Sequence, residues 1–214
     1  MNKVIQLGFI LMITSSLLGA CGQQLVEIPE VLPKVTIGVV GPIQPMGTTD
    51  LLAGYIPEDR GFATEENLIE LRSLIIDTLR AQTKRAYEFI PAADGADPTI
   101  TRMAGVNSAL EYWVAVGKQL GVEFLIIPYV LSWHPREGSS AGVTSSAELT
   151  IDFFLIDTKG EGALLGRSHY SEKQVGLASN LLTLNKFIKR GGKWVTTEEL
   201  AKEAIEKMIK EFRL

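Results

Sequence analysis

Residues 122–134 read VEFLIIPYVLSWH. After Glu123 the first half of this run is continuously apolar and rich in β-branched and aromatic side chains, which suits a strand covered on both faces. Pro128 has no N–H to give to a ladder, so it predicts a bulge or a sheet edge farther along. What flanks the run decides the architecture. Upstream, residues 107–120 place Leu110, Trp113, Val114 and Gly117 on one helical face, and Gly121 is positioned to end that helix. Downstream, Ala147, Leu149, Ile151, Phe153 and Leu155 alternate with Glu148, Thr150 and Asp152. That period of two predicts a half-buried antiparallel strand. The glycine-rich DTKGEG at 157–162 reads as a turn, and residues 163–171 return as its partner.

Nearer the amino terminus, VTIGVV at 35–40 reads as a buried strand. Thr64 before Glu65 and Glu66 marks a helix start, and Leu68, Leu71, Ile75 and Leu79 carry its apolar face through about residue 82. Residues 85–90 form a second strand and 91–98 a loop. The carboxyl end is a helix: Thr196 and Glu199 fit a capping box, and Leu200, Ala204, Ile205, Met208, Ile209 and Phe212 make its buried stripe. The order is strand, helix, strand, helix, a three-strand antiparallel meander, then helix. It predicts an α/β fold with a mixed sheet packed against helices.

The passage GKQLGVEFLII at 117–127, with FLID at 154–157 and its glycine turn, resembles the periplasmic domains related to the TolB amino-terminal domain and the curli-secretion lipoprotein. The resemblance implies a single periplasmic α/β domain over residues 34–214.

Residues 1–20 carry one charge, Lys3, then an apolar run and the small pair Gly19 and Ala20, the layout of a secretory leader. The run is shorter than the roughly 20 residues of a stable membrane-crossing helix. Leu18, Gly19, Ala20 and Cys21 resemble the lipobox of bacterial lipoproteins, and Cys21 is the single cysteine of the 214 residues. That resemblance implies cleavage before Cys21 and acylation of its thiol with fatty chains such as palmitate. Gly22 in place of aspartate implies the outer membrane, with the chain on its periplasmic face. Residues 21–33, with Pro29 and Pro33, read as a tether.

Loss of the leader removes one basic residue and leaves a net charge of −5, so no general affinity for nucleic acid is expected. With Cys21 acylated, no thiol remains for disulfides, metal binding or nucleophilic catalysis. Only His134 and His169 offer imidazoles, without a G-x-S-x-G elbow, and no zinc spacing or phosphate-binding glycine loop is present. The expectation is a non-enzymatic chain with no cofactor and no metal.

Three segments are candidates for binding. Residues 41–61 form a long loop beyond the first strand. Residues 132–146 span a flexible hairpin preceded by Trp133 and Arg136, residue types enriched at interfaces. Between Glu172 and Glu198 the chain has Lys173, Lys186, Lys189, Arg190 and Lys193 and no acid, interleaved with apolar residues. As an amphipathic helix ending at Gly191, that stretch would present Lys186, Lys189 and Arg190 to anionic lipid or an acidic partner. The leading expectation is a lipid-anchored lipoprotein that binds or scaffolds another envelope component. The alternative is a subunit of an oligomeric secretion channel related to the curli-secretion lipoprotein.

Overall fold

The computed structural model describes residues 32–91, 108–140, 142–174, 188 and 190–214. Cys21, the leader, most of the tether, Lys186 and Lys189 lie outside the described residues. The elements are β1 (Ile37–Val40), α1 (Glu65–Gln82), β2 (Tyr87–Ile90), α2 (Ala109–Leu120), β3 (Phe124–His134), β4 (Glu137–Gly138), β5 (Val143–Ser145), β6 (Glu148–Asp157), β7 (Ala163–Lys173) and α3 (Thr197–Glu211). Five strands form one sheet in the order β2-β1-β3-β6-β7, and β4 pairs with β5 in a small ribbon. β1 runs parallel to β2 and β3, while β6 is antiparallel to both of its neighbours, β3 and β7. The mixed sheet follows from chain order, because parallel neighbours need a helical crossover and antiparallel ones only a turn.

Strand parity divides the side chains between two cores. On one face Ile37, Val39, Ile126, Phe153 and Leu155 pack with Leu71, Ile75 and Leu79 of α1 and with Leu200, Ala204, Ile205 and Met208 of α3. On the other, Val40, Leu125, Ile127, Phe154 and Ile156 meet Trp113, Val114 and Val116 of α2, with Leu51, Leu52 and Ala53 of the 41–61 loop against them. β6 is therefore covered on both sides and not half-buried: Thr150 is 6% exposed and Asp152 is fully buried. Its polar alternation marks buried hydrogen-bonded positions, since Thr150 Oγ1 lies 3.0 Å from Ser171 Oγ.

Pro128 points its nitrogen side toward β1, which has already ended; Ile43 N donates to Pro128 O at 3.0 Å there. Three residues later the register slips between Val130 and Ser132. That bulge inverts the parity of β3, so Trp133 turns into the α1–α3 core although Tyr129 and Leu131 face α2. Helix ends follow their cap residues. Thr64, Ser108 and Thr196 each accept a backbone N–H of the first turn, and Gly121 closes α2 at φ 69°. Packing reaches back to Leu32, which is fully buried, ahead of the expected boundary at residue 34; Arg85 donates to the carbonyls of Leu32 and Pro33 at 3.1 and 2.9 Å.

Candidate binding face

The three parallel strands start level, with Ile37 opposite both Tyr87 and Phe124, and Leu32 is held beside that end. β3 has eleven residues and is about 35 Å long at roughly 3.3 Å per residue. His134 thus stands at the far end of the sheet from the point where the chain joins the fold. The 41–61 loop is fastened at that far end. Val130 N donates to Ile43 O at 2.8 Å, Gly61 N to Ser132 Oγ at 3.0 Å, and Trp133 N to Gly61 O at 3.1 Å. A Cβ on Gly61 would lie 2.1 Å from Trp133 O, so the close approach needs glycine.

Within the loop, Gln44 Nε2 donates to Gly61 O at 3.1 Å and Gln44 Oε1 accepts from Ala63 N at 3.0 Å. Asp50 accepts from the backbone of Met46 and Gly47, each at 3.0 Å, and Arg60 Nη1 donates to Pro45 O at 2.6 Å. His134 Nε2 lies 3.2 Å from Asp59 O. This internally bonded loop carries Met46, Tyr55 and Phe62 at 74%, 70% and 59% exposure, with the Arg60 guanidinium 4.6 Å from the Phe62 ring centre. Around them residues 41–62 contain Asp50, Glu58 and Asp59 against one basic residue, Arg60. Apolar side chains held out on a fixed acidic loop are suited to contact.

Beside the loop, Asp152 is fully buried on β6. Arg167 Nη2 donates to its Oδ2 at 2.8 Å and His169 Nδ1 to its Oδ1 at 2.7 Å. Gly54 presses on this group, since a Cβ there would lie 2.6 Å from Arg167 Nη2. The cluster was not legible: the register at the 157–162 turn, Asp157 opposite Ala163, would put Asp152 opposite Ser168, and only a shift between Leu155 and Ile156 brings His169 opposite it. An aspartate–histidine pair orients a base, but among the described residues no hydroxyl is hydrogen-bonded to the other imidazole nitrogen, as a nucleophile would be. Asp152 is thus an ion-pair partner of Arg167 and accepts a hydrogen bond from the His169 ring.

The other sequence candidates fall in different places. Trp133 is 2% exposed and belongs to the core, so it is no surface anchor. Arg136 is half-buried and donates to Trp194 O, which ties the hairpin to the segment before α3. Arg190 is not free for lipid headgroups: Nε and Nη2 donate to the two carboxylate oxygens of Glu203 at 2.8 and 2.7 Å, with Glu172 3.5 Å away. Glu203 raises the Arg190 pKa further above its ordinary range. The acid-free count along the sequence missed this because its partners lie on β7 and α3. Tyr170 donates to the same Glu203 at 2.8 Å, and its hydroxyl pKa is raised by burial and by that carboxylate.

No family model and no curated protein matches the chain. Among solved structures it is similar to the PelC dodecamer from Paraburkholderia phytofirmans, at 14% identity over 87% of this chain and 93% of that one, TM-score 0.47. It is similar to the hypothetical protein CT253 from Chlamydia trachomatis, at 12% identity over 84% and 98%, TM-score 0.43. A third likeness is to the lipoprotein GNA1162 from Neisseria meningitidis, at 14% identity over 74% and 98%, TM-score 0.35. These are likenesses of fold, and they transfer no activity to this chain.

Proposed function

We propose that the protein is a lipid-anchored binding or scaffolding lipoprotein of the bacterial cell envelope, without catalytic activity, held by acylated Cys21 to the periplasmic face of the outer membrane. The observation that carries this reading is the lone cysteine placed directly after Leu18, Gly19 and Ala20, behind an apolar leader. Acyl chains contribute about 0.8 kcal/mol per buried methylene, so several chains hold a soluble body firmly. The geometry of the domain supports a division of labour. The chain joins the sheet at one end, and Phe62 projects at the other, next to Gly61, while Tyr55 follows Gly54, which packs on Arg167 over the middle of the sheet. An anchored chain would then present its loop face away from its own attachment, and confinement to one layer raises its effective concentration for partners there.

The test is a pair of variants in cells. Cys21→Ser should move the protein from the membrane fraction to the soluble periplasmic fraction. A photo-reactive phenylalanine at Phe62 should crosslink to an envelope protein, and the same probe at Gly160, at the near end, should not. Retention of Cys21→Ser in the membrane, or equal crosslinking from both ends, would contradict the reading.

A further inference from the structure

The tether enters the fold at the near end of the sheet, where Leu32 is fully buried and Arg85 donates to the carbonyls of Leu32 and Pro33. Residues 22–31 separate Leu32 from Cys21 and reach at most about 35 Å at roughly 3.5 Å per residue, so the tether alone leaves the domain free to turn over a surface. The same end collects the carboxyl termini of α1, α2 and α3. α1 and α2 lead into β2 and β3, whose first residues pair with Ile37. α3 starts at the far end, where Thr197 Oγ1 donates to His134 O, and Gln82 Nε2 donates to Glu206 Oε1 farther down. Lys34, Lys84, Lys118, Lys210 and Arg213 are exposed at the near end, and among the described residues none of them is in an ion pair. The acids there are partly taken up: Glu123 lies 2.8 Å from Lys159, Asp157 Oδ1 accepts from Lys159 N, and Glu211 lies 3.6 Å from Lys207, while Glu161 is exposed. The opposite end is acidic. Glu65 and Glu66 open α1, Glu198 and Glu199 open α3, and Glu58 and Asp59 stand in the loop. Helix dipoles favour such sorting, but Lys34 and Lys84 lie in the segments before β1 and β2, outside any helix.

We infer that the near end of the domain rests on the anionic lipid headgroups of the membrane that holds Cys21. Lys34, Lys84, Lys118, Lys210 and Arg213 meet the headgroups, the acidic end is repelled from them, and together these effects orient the domain with Phe62 outward. The inference rests on the reading of Cys21 as the anchor and adds to it a second, electrostatic contact. Acyl chains and a basic surface act together in membrane attachment. Lysine and arginine gain from a negative surface within a Debye length, about 10 Å at 0.1 M salt, which the tether keeps within reach.

The test uses the full processed chain with its acyl groups, in vesicles of phosphatidylcholine alone or of phosphatidylcholine and phosphatidylglycerol in equal parts. A bimane fluorophore is placed at Gln119→Cys, at the near end of α2, or at Glu66→Cys, at the far end of α1; both positions are exposed. A nitroxide on the headgroup of a trace lipid quenches the probe that lies close to the surface. The ratio of quenching at 119 to that at 66 should be at least about threefold greater in the mixed vesicles than in phosphatidylcholine alone, a comparison that subtracts the bias of the tether itself. High salt should return the ratio to its value in phosphatidylcholine. Lys34→Gln with Lys84→Gln, Lys118→Gln and Arg213→Gln should fold normally, because these side chains are exposed, and should do the same. Lys193→Gln with Lys202→Gln, toward the far end, should leave the ratio high. Equal ratios in the two lipids, a ratio unmoved by salt, or one retained without the near-end charges would overturn the inference. A chain that floats with the vesicles but shows equal ratios removes the orientation and leaves the anchor. A chain that does not float with them removes the anchor, and the orientation with it.

Discussion

Asp152 is a carboxylate buried in the sheet and held by two side chains of the neighbouring strand. Its carboxylate is fully buried and depends on Arg167 and His169, whose side chains are 29% and 43% exposed. Asp152→Ala would leave the Arg167 guanidinium under the Gly54 turn without its acceptor, and should destabilise the domain by about 2–3 kcal/mol after allowance for the partial exposure of its partners. Urea unfolding followed by far-ultraviolet circular dichroism measures this, and a change below about 0.5 kcal/mol would mean that the pair is solvated. Tyr129 gives a pH signature. Burial pushes its hydroxyl pKa up to about 12, partly offset by the Trp113 hydrogen bond. Because the folded value lies above the unfolded one near 10, the contribution is complete below pH 10 and is lost as pH rises toward 12. Two units correspond to about 2–3 kcal/mol. Stability measured across pH 9 to 12 should therefore fall, and a flat profile would contradict the burial.

Elements with a periodic signature were legible before the structure. The α1, α2 and α3 positions followed their cap residues and apolar stripes, and the glycine turn at 157–162 showed that β6 pairs with β7, although a bulge between Leu155 and Ile156 shifts their register by one residue. Two features were hidden because they depend on neighbours in space. The alternation of β6 suggested a wet face, yet Thr150 and Asp152 are covered by the second core and satisfied by β7. Trp133 and Arg190 had the composition of interface residues, but a bulge turns one inward and the Glu203 carboxylate holds the other. The acidic loop bearing Met46, Tyr55 and Phe62 was visible only as a long unpatterned segment, since exposure in a loop has no period. At this scale the Thr196 capping box should contribute: Thr196→Ala removes the hydroxyl that accepts from Glu199 N and should cost about 1 kcal/mol in the same unfolding measurement. Gly117→Ala should also destabilise despite better helix propensity, because its Cβ would lie 2.3 Å from Thr158 Cγ2, and that side chain is fixed by its bond to Val122 O.

For the whole molecule, two modes of action follow from an anchored α/β domain: a tethered binder, or one unit of a closed ring. The channel alternative calls for segments of about 9–11 alternating residues that enter the membrane as hairpins. The 41–61 loop is instead tied into the sheet through Gly61 and Ile43, and the ribbon of β4 and β5 spans only Glu137–Gly138 and Val143–Ser145. Light scattering on detergent-extracted protein should accordingly give a monomer or a small oligomer, whereas a large ring would favour the channel. Both modes rest on the proposed acylation of Cys21, so the most direct measurement is the intact mass of the exported protein. The account predicts a chain beginning at Cys21 and carrying the mass of a diacylglyceryl group and an amide-linked acyl chain. A free thiol at that position, or a mass that retains residues 1–20, would contradict it.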